Sequence, residues 1–284
     1  MKYAAIKTHA GKIGIARGCA LLKVRRQGYY EWKKRSEGKR VRQDRELSER
    51  LKEAFYANDR IYGARKLIHI LAIRVGRKRV RRLMEKSGLV PVTRRKRVNT
   101  TDSKHNLEIF PDLLKQNFRA KSVNRVWVSD FTYIRTDKGW LYLCTVLDLC
   151  SRRIVGWAVS DTIDRHLAIA ALENAVKNRK PAKGFIFHSD RGCQYASSDF
   201  RNAVAKYKGV QSMSSKGCPY DNACAETFFK SLKVECLDRQ RFFTRQQAKD
   251  ATARYMLFYN RKRIHASLNY LCPVDFEAIL KNTA

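Results

Sequence analysis

A single aspartate, Asp130, stands inside the apolar and aromatic run VWVSDFTYI, which predicts a buried β-strand. A carboxylate in such a strand loses hydration, so it needs a charged partner, and a divalent cation is a common one. Asp190 ends a second apolar run, where a strand gives way to a loop, and Glu226 lies in a stretch with helical spacing. Either each acid is an ordinary capping or ion-paired residue, or the three converge on one site.

Two strand acids and one helix acid can together hold a pair of Mg²⁺ or Mn²⁺ ions, which stabilise both oxygens of a phosphoryl displacement. Lys230 and Lys233 follow Glu226 at i+4 and i+7, on one face of the predicted helix. The alternative is an exposed Glu–Lys pair that contributes only ~0.3–0.5 kcal/mol. We predict that Asp130, Asp190 and Glu226 are the catalytic and metal-binding residues, and that both lysines contact DNA phosphates.

The order of elements around the acids is typical of a mixed α/β sheet. The predicted strands are 126–134, 140–149, 154–160, 185–189 and 211–215, and the helices between them are 166–178 and 197–207. Three strands in quick succession, followed by strand–helix alternation, indicate a mixed sheet with helices on its faces. This is a ribonuclease H-like architecture.

Charge indicates the partner. The chain has 284 residues and a formal net charge of +34, which favours nucleic acid. Residues 1–120 carry 33 Lys and Arg against 11 Asp and Glu, whereas residues 121–284 carry 27 against 15. The front half is therefore predicted to dock DNA and the back half to carry the chemistry. No stretch approaches the roughly 18 apolar residues of a membrane helix, so no membrane association is expected.

The eight cysteines stand singly, without C-x-x-C pairs or paired histidines at ligand spacing. Several lie in apolar runs, where a free cysteine behaves as a small hydrophobe. We interpret them as reduced thiols, which indicates the cytoplasm.

The N-terminal half has helical spacing. Apolar residues predict helices at 43–58, 64–75 and 77–88. The last two surround Gly76 and resemble a helix-turn-helix. The third helix has six cations and one acid around an apolar stripe, so we predict DNA contact through Arg77, Arg79 and Arg82 rather than a merely solvated face. The basic run RRKR at 94–97 is predicted to be a backbone-binding arm.

These patterns divide the chain into four parts. They are a basic helical lead-in (1–38), a helix-turn-helix-like DNA-binding domain (39–97), a linker (98–124), and a catalytic core with a C-terminal helical extension (125–284). The linker is polar and contains one short apolar contact. The lead-in aromatics Tyr29, Tyr30 and Trp32 either stack on DNA bases or, as we prefer, pack against the next domain.

Several long segments resemble a known family. WVSDFTYIRTDKGWLYLCTVLDLCSRRIVGWAVSD, FHSDRGCQYASSDF and SKGCPYDNACAETFFKSLKVECL are similar to the catalytic core of bacterial insertion-sequence transposases of the retroviral-integrase superfamily, in particular the downstream-frame product called OrfB. The 35 residues between Asp190 and Glu226 match the family's D,D-35-E triad, and Lys233 matches a basic position. YNRKRIHASL resembles the family's C-terminal motif, in which Asn260, Arg263 and Leu268 match.

The resemblance implies a ribonuclease H-like core and a DNA transposase that cleaves the ends of an insertion element and joins the freed 3′-hydroxyl to DNA. It implies two divalent ions, Mg²⁺ or Mn²⁺, without a covalent protein–DNA intermediate. The disfavoured alternative is a recombinase whose nucleophile is one of Tyr133, Tyr195, Ser189 and Ser214. The expected partners are terminal inverted repeats, target DNA, further copies of the chain, and an upstream-frame OrfA product or fusion. The expected location is the bacterial cytoplasm, on the nucleoid when bound to DNA.

Two histidines and two other function classes stay open. His188 either orients a ligand or phosphate or is a hydrogen-bonded strand histidine. His265 is expected to serve packing and DNA contact rather than metal ligation, and Arg263 is expected to contact DNA. A non-catalytic DNA-binding regulator explains the charge but requires no acidic triad. A ribonuclease H-type nuclease explains the acids, but such nucleases usually lack an upstream DNA-reading module. Strand transfer between two DNAs distinguishes all three classes.

Overall fold

The computed structural model describes residues 1–34, 38–92, 109–118, 120–215 and 222–282. Its N-terminal part contains helices α1 (Lys2–Ile13), α2 (Ile15–Leu21), α3 (Arg26–Lys34), α4 (Lys39–Ala57), α5 (Ala64–Ile70) and α6 (Arg77–Lys86). The remainder contains β1 (Val126–Thr136), β2 (Gly139–Asp148), β3 (Ile154–Ser160), α7 (Arg165–Arg179), β4 (Ile186–Ser189), α8 (Cys193–Ala196), α9 (Ser198–Lys206), β5 (Val210–Met213), α10 (Ala223–Glu235), α11 (Arg245–Arg261) and α12 (Pro273–Asn282). The five predicted strands and the two helices between them are confirmed.

The aromatic residues of the lead-in pack within the lead-in itself. The ring of Tyr29 on α3 lies 6.3 Å from that of Tyr3 on α1 and 5.9 Å from that of Trp32, measured between centroids. Tyr29 and Ile6 are buried in this small core, whereas Tyr30 remains exposed. The expectation that these aromatics pack against the next domain is therefore wrong, because α1 supplies the apolar surface.

The next three helices share one apolar core. Leu47, Leu51 and Phe55 form the buried stripe predicted for α4. They pack in one cluster with the stripe predicted for α6, which consists of Val80, Leu83 and Met84. Helix α5 is shorter than predicted and ends at Ile70, because Ala72 adopts a left-handed backbone conformation with φ 48°.

This helical part contacts the C-terminal extension. The hydroxyl oxygen of Tyr62 accepts a hydrogen bond from the backbone N–H of Ile264 (3.2 Å). The rings of His69 and Tyr270 stack, with their centroids 3.5 Å apart. Polar and stacking contacts therefore join the two parts of the chain.

The sheet has the strand order β3-β2-β1-β4-β5, with β1 at its centre. The β1–β2 and β2–β3 pairs are antiparallel, whereas the β1–β4 and β4–β5 pairs are parallel. The predicted mixed sheet is therefore confirmed. In the parallel ladder Val128 lies opposite His188, so the later residues of β1 run past the end of β4.

Side chains alternate along β1 between two helical layers. Trp127 belongs to the core that includes α7 and α9, and Val128 belongs to the core that includes α10 and α11. At Gly156 on β3, an added Cβ would collide with the backbone of α7 at Ala171 and Ala175, so close packing there requires glycine. Because helices cover both faces of the sheet, the strand sequences are nearly continuous runs of apolar residues.

Part of the predicted linker packs on the core. The backbone N–H of Leu113 donates to Ser212 Oγ (3.0 Å), and Leu114 is buried in the layer that includes α10 and α11. The predicted basic arm at 94–97 and the linker before residue 109 lie outside the described residues. Among the described helices, none is long and apolar enough to cross a bilayer.

Candidate active site

Asp130 lies in the middle of β1, at the level where β4 ends. It is partly buried, and its Oδ1 accepts a hydrogen bond from the backbone N–H of Phe131 (2.7 Å). By strand alternation it shares a face with Val128 and Ile134, which belong to the core under α10 and α11. The predicted strand is therefore confirmed, and it directs the carboxylate toward the layer that holds α10.

Asp190 follows β4 directly. Val128 lies opposite His188 in the parallel ladder, and Asp130 and Asp190 each follow that pair by two residues, so both acids lie near the same end of the ladder. The Oδ1 of Asp190 accepts a hydrogen bond from the backbone N–H of Gly192 (3.0 Å). A Cβ at this glycine would lie 3.1 Å from the same oxygen, so the glycine allows the loop to approach the carboxylate closely.

Glu226 lies in the first turn of α10. Just before this helix, the side-chain amide of Asn222 donates to the carbonyl oxygen of Ser129 (3.1 Å), the residue before Asp130. This hydrogen bond fixes the start of α10 against β1. No role of Asn222 was predicted from the sequence. Its position immediately before the helix that carries an acid was the feature that could have indicated one.

The three acids share one electrostatic environment. The pKa of Asp130 is raised well above its usual range, first by burial and then by the negative charges of Asp190 and Glu226. Lys233 acts in the opposite direction and lowers this pKa. Within the described residues, no three His, Cys, Asp or Glu side chains stand close enough to hold one metal ion between them. The acids are therefore electrostatic neighbours rather than a closed ligand set.

The donors at this site suit a hard divalent cation. Carboxylate oxygens are preferred ligands of Mg²⁺ and Mn²⁺. A bound cation would also offset the repulsion from Asp190 and Glu226 that raises the pKa of Asp130. In addition, the Oδ1 of Asn222 is buried and has no hydrogen-bond partner in the described part of the chain.

Lys230 lies on the same helix as Glu226. Its Nζ lies 3.6 Å from Glu226 Oε2, and the two side chains are 48% and 39% exposed. Ion pairs at such exposure stabilise a fold by only about 0–1 kcal/mol. The ion pair of Lys230 with Glu226 therefore contributes little to the stability of the helix.

The arginines of α6 differ in their surroundings. Arg77 is exposed. Arg79 and Arg82 both pair with Asp44 on α4, at 2.6 and 2.5 Å. Hydrogen bonds from Arg82 and then Arg79 lower the pKa of Asp44. The sequence shows one acid within α6. It did not predict that an acid of α4 also offsets part of the positive charge of α6.

Arg263, which was expected to contact DNA, instead forms a buried ion pair. Its Nη2 lies 2.6 Å from Glu235 Oε1, and its Nε donates to Oε2 (2.7 Å). The two side chains are only 11% and 8% exposed. The hydroxyl of Tyr255 donates to the same carboxylate (2.8 Å). Arg263 therefore ties the end of α10 to the chain after α11, because a buried guanidinium needs this partner.

Both histidines left open by the sequence are interior residues. His188 is fully buried, and its ring nitrogens lie 2.9 Å from Ser212 Oγ and 3.3 Å from Ser214 Oγ. His265 is also buried, and burial followed by the charge of Arg263 lowers its pKa to about 3. The structure therefore favours the packing interpretation for both.

Three of the four hydroxyls considered as nucleophiles are buried, namely Ser189, Tyr195 and Ser214. The phenol of Tyr195 is hydrogen-bonded with Ser129 Oγ (2.8 Å), and burial raises its pKa well above the ordinary tyrosine value. A buried and protonated phenol is a poor nucleophile. Tyr133 differs from the other three, because 42% of it is exposed.

The chain matches two family models described as an integrase core domain, over residues 120–219 and 208–273, and one described as an HTH-like domain, over residues 42–97. It is 37% identical over 283 residues to the transposase InsF for insertion sequence IS3A of Escherichia coli (strain K12), with 98% of each chain covered. It is 39% identical over 263 residues to an uncharacterized 31 kDa protein of insertion element IS600 of Shigella sonnei, with 91% of this chain and 96% of that protein covered. The catalytic core domain of BIV integrase superposes with a TM-score of 0.43 at 14% identity, covering 56% of this chain and 97% of that one.

Proposed function

Because the chain belongs to the insertion-sequence transposases of the IS3 family, we propose that it cuts the ends of its element and joins the freed 3′-hydroxyls to another DNA. The observation that carries this proposal is the electrostatic proximity of Asp130, Asp190 and Glu226, since the charges of Asp190 and Glu226 both raise the pKa of Asp130. Clustered carboxylates in a chain of net charge +34 suit a polyanionic substrate that is held through cations.

We assign the metal site to these three acids. Two bound Mg²⁺ or Mn²⁺ ions would lower the pKa of a water molecule or a 3′-hydroxyl and stabilise the leaving oxygen. The proposal is supported by the positions of Asp130 and Asp190, which each follow the last paired residues of the β1–β4 parallel ladder by two residues. Asn222 anchors the helix that supplies Glu226. The protein's part is thus to hold three acidic side chains in fixed relative positions.

Lys230 and Lys233 are proposed to hold DNA phosphates beside the carboxylates. Their spacing from Glu226 places all three residues on one face of α10. A cation fixed near the reacting phosphate orients the attack and stabilises charge in the transition state. The nucleophile in this proposal is water or a DNA 3′-hydroxyl, so no covalent protein–DNA intermediate forms.

The proposed DNA partners are the terminal inverted repeats of the element and its target. We propose that residues 39–97 dock the repeats through Arg77, Arg79 and Arg82, and that residues 125–284 carry out the chemistry. Joining two ends to one target calls for several copies of the chain on DNA. The sequence has no long leucine heptads, so an upstream-frame OrfA product, or a fusion with it, is proposed to supply multimerisation.

The reaction products test this function. The full chain, alone and fused to an upstream-frame product, is incubated with labelled duplexes from the ends of its own element, in Mg²⁺ and in EDTA. We expect cut ends and joined products in Mg²⁺ and neither in EDTA. Binding without either product would identify a regulator, and cutting without joining would identify a nuclease.

A further inference from the structure

Three aromatic side chains, Tyr133, Trp140 and Tyr142, form a partly exposed group at the end of the β1–β2 hairpin, here called the hairpin aromatic cluster. Tyr133 lies opposite Tyr142 in the antiparallel ladder, with ring centroids 5.3 Å apart. The ring of Trp140 lies 6.2 Å from that of Tyr133. Tyr133 is 42% exposed and Trp140 is 49% exposed.

On this face of the sheet, the helical layer that covers Phe131 does not cover Tyr133. Phe131, two residues before Tyr133 on the same face of β1, packs against Tyr195 of α8 at a centroid distance of 5.0 Å. Beyond Phe131, Tyr133 and Trp140 are exposed to solvent, whereas Tyr142 is partly buried against the core. The proposed DNA-cleaving function makes no use of these rings.

The hairpin aromatic cluster borders the acidic site. Tyr133 follows Asp130 by three residues, which is ~10 Å along a strand, and its side chain leaves the opposite face of β1, beyond the last residue of β4. The pKa of Tyr133 is raised, first by burial, then by Tyr142, and then by the negative charges of Asp130 and Asp190. Measured along the axis of a DNA duplex, ~10 Å corresponds to about three nucleotides of one strand. A base on this surface would therefore belong to a nucleotide within about three steps of the reacting phosphate.

The rim of the cluster is cationic. It carries four cations and two acids: Arg135, Lys138, Arg241, Arg245, Asp137 and Asp161. Asp137 pairs with Arg241 at 3.0 Å, and Asp161 lies 4.0 Å from Arg245. The unbalanced charge of the rim is therefore positive. It attracts DNA, whereas a second copy of this chain would bring the same positive rim and be repelled.

We propose that the hairpin aromatic cluster is a stacking surface for an unpaired DNA base close to the cleaved phosphate. Exposed rings inside a cationic rim are the combination that single-stranded DNA sites use, because bases stack on the rings while cations hold the phosphates. The inference rests on the proposed function, since it requires DNA at the acids. Stacking would hold the strand end in place for attack.

The test uses the full chain and the terminal 40 base pairs of the element that encodes it. Trp140→Ala and Tyr133→Ala should each weaken metal-free DNA binding by about 5- to 150-fold, the range expected when one stacked base is lost. Trp140→Phe and Tyr133→Phe should keep most of the affinity, because a phenyl ring still stacks. Leu257→Ala is the matched control, since Leu257 is an exposed apolar residue of α11 and should have no effect.

Abasic substitutions identify the base. They are placed one at a time within about four nucleotides of the cleaved phosphate. At one position the wild type should lose the same factor as Trp140→Ala loses on intact DNA, and the variant should lose nothing more, because its stacking partner is already gone.

The outcomes distinguish a failure of the proposed stacking surface from a failure of the proposed DNA-cutting and joining function. Wild-type affinity in both alanine variants overturns the stacking surface and leaves the proposed function intact. A change of oligomeric state in light scattering, without a change in DNA binding, overturns it in favour of an interface between copies. A wild type that binds through the cluster but neither cuts nor joins DNA contradicts the proposed function instead.

Discussion

The ion pair between Glu235 and Arg263 gives a quantitative prediction about stability. Both side chains are about nine-tenths buried, the pair is bidentate, and Tyr255 donates to the same carboxylate. Removal of one partner leaves the other charge buried and unpaired, which costs ~3–5 kcal/mol. We expect Arg263→Ala to lower the free energy of unfolding by about this amount.

Thermal unfolding measures this effect. At roughly 2–4 °C per kcal/mol, the loss corresponds to a fall in Tm of about 6–20 °C. Arg261→Ala is the matched control, because Arg261 is an exposed arginine in the last turn of α11. It should change Tm by about 2 °C at most. A double variant, Glu235→Leu with Arg263→Met, should be more stable than either single variant, because it buries no charge.

Two results would refute this reasoning. If Arg263→Ala melts like the wild type but binds element-end DNA more weakly, Arg263 is the DNA contact that the sequence predicted. If the double variant melts no higher than the single variants, unpaired buried charge is not the source of the loss.

Three further predictions concern the site and the DNA-binding helix. Lys233→Ala should slow single-turnover cleavage at saturating DNA by ~10²-fold, with partial rescue by Lys233→Arg; equal rates for Lys, Ala and Glu would mean that the lysine is merely solvated. Changing Arg79 and Arg82 together to Glu should weaken DNA binding, and wild-type affinity should fall steeply with salt. Because both arginines pair with Asp44, the Tm of this variant is measured in parallel, and binding as tight as that of the wild type would rule out α6 as the docking helix. Asp130→Asn should raise the Tm of the metal-free protein at neutral pH, because a carboxyl whose folded-state pKa is raised destabilises the fold when it ionises. That gain should vanish below pH ~4, where the carboxyl is protonated in both states, and an unchanged Tm at neutral pH would contradict the convergence of the acids.

The strands and the acids were predictable because the sheet is buried on both faces. Each strand then reads as an apolar run, and Asp130 stands out because it interrupts one. Periodicity along the chain does not give the strand order, however. The neighbouring positions of β1 and β4, after which Asp130 and Asp190 follow, are a tertiary property of the parallel ladder.

The sequence did not reveal which charges pair across elements. Asp44 lies 35 residues from Arg79, and Glu235 lies 28 residues from Arg263. A helical pattern relates residues only three or four positions apart, so each arginine looked like a surface charge. For the same reason, the contact of Tyr29 with α1 could not be read from spacing.

The central claim is that Asp130, Asp190 and Glu226 form one metal-dependent strand-transfer site. Its most direct test is single-turnover joining in Mg²⁺ by Asp130→Asn, Asp190→Asn and Glu226→Gln, at saturating DNA and with binding measured in parallel. We expect joining to fall to background in all three while DNA affinity stays near that of the wild type, and Asp250→Asn, at an exposed acid of α11, to join normally. Near-normal joining by any one of the three would contradict the assignment of the triad.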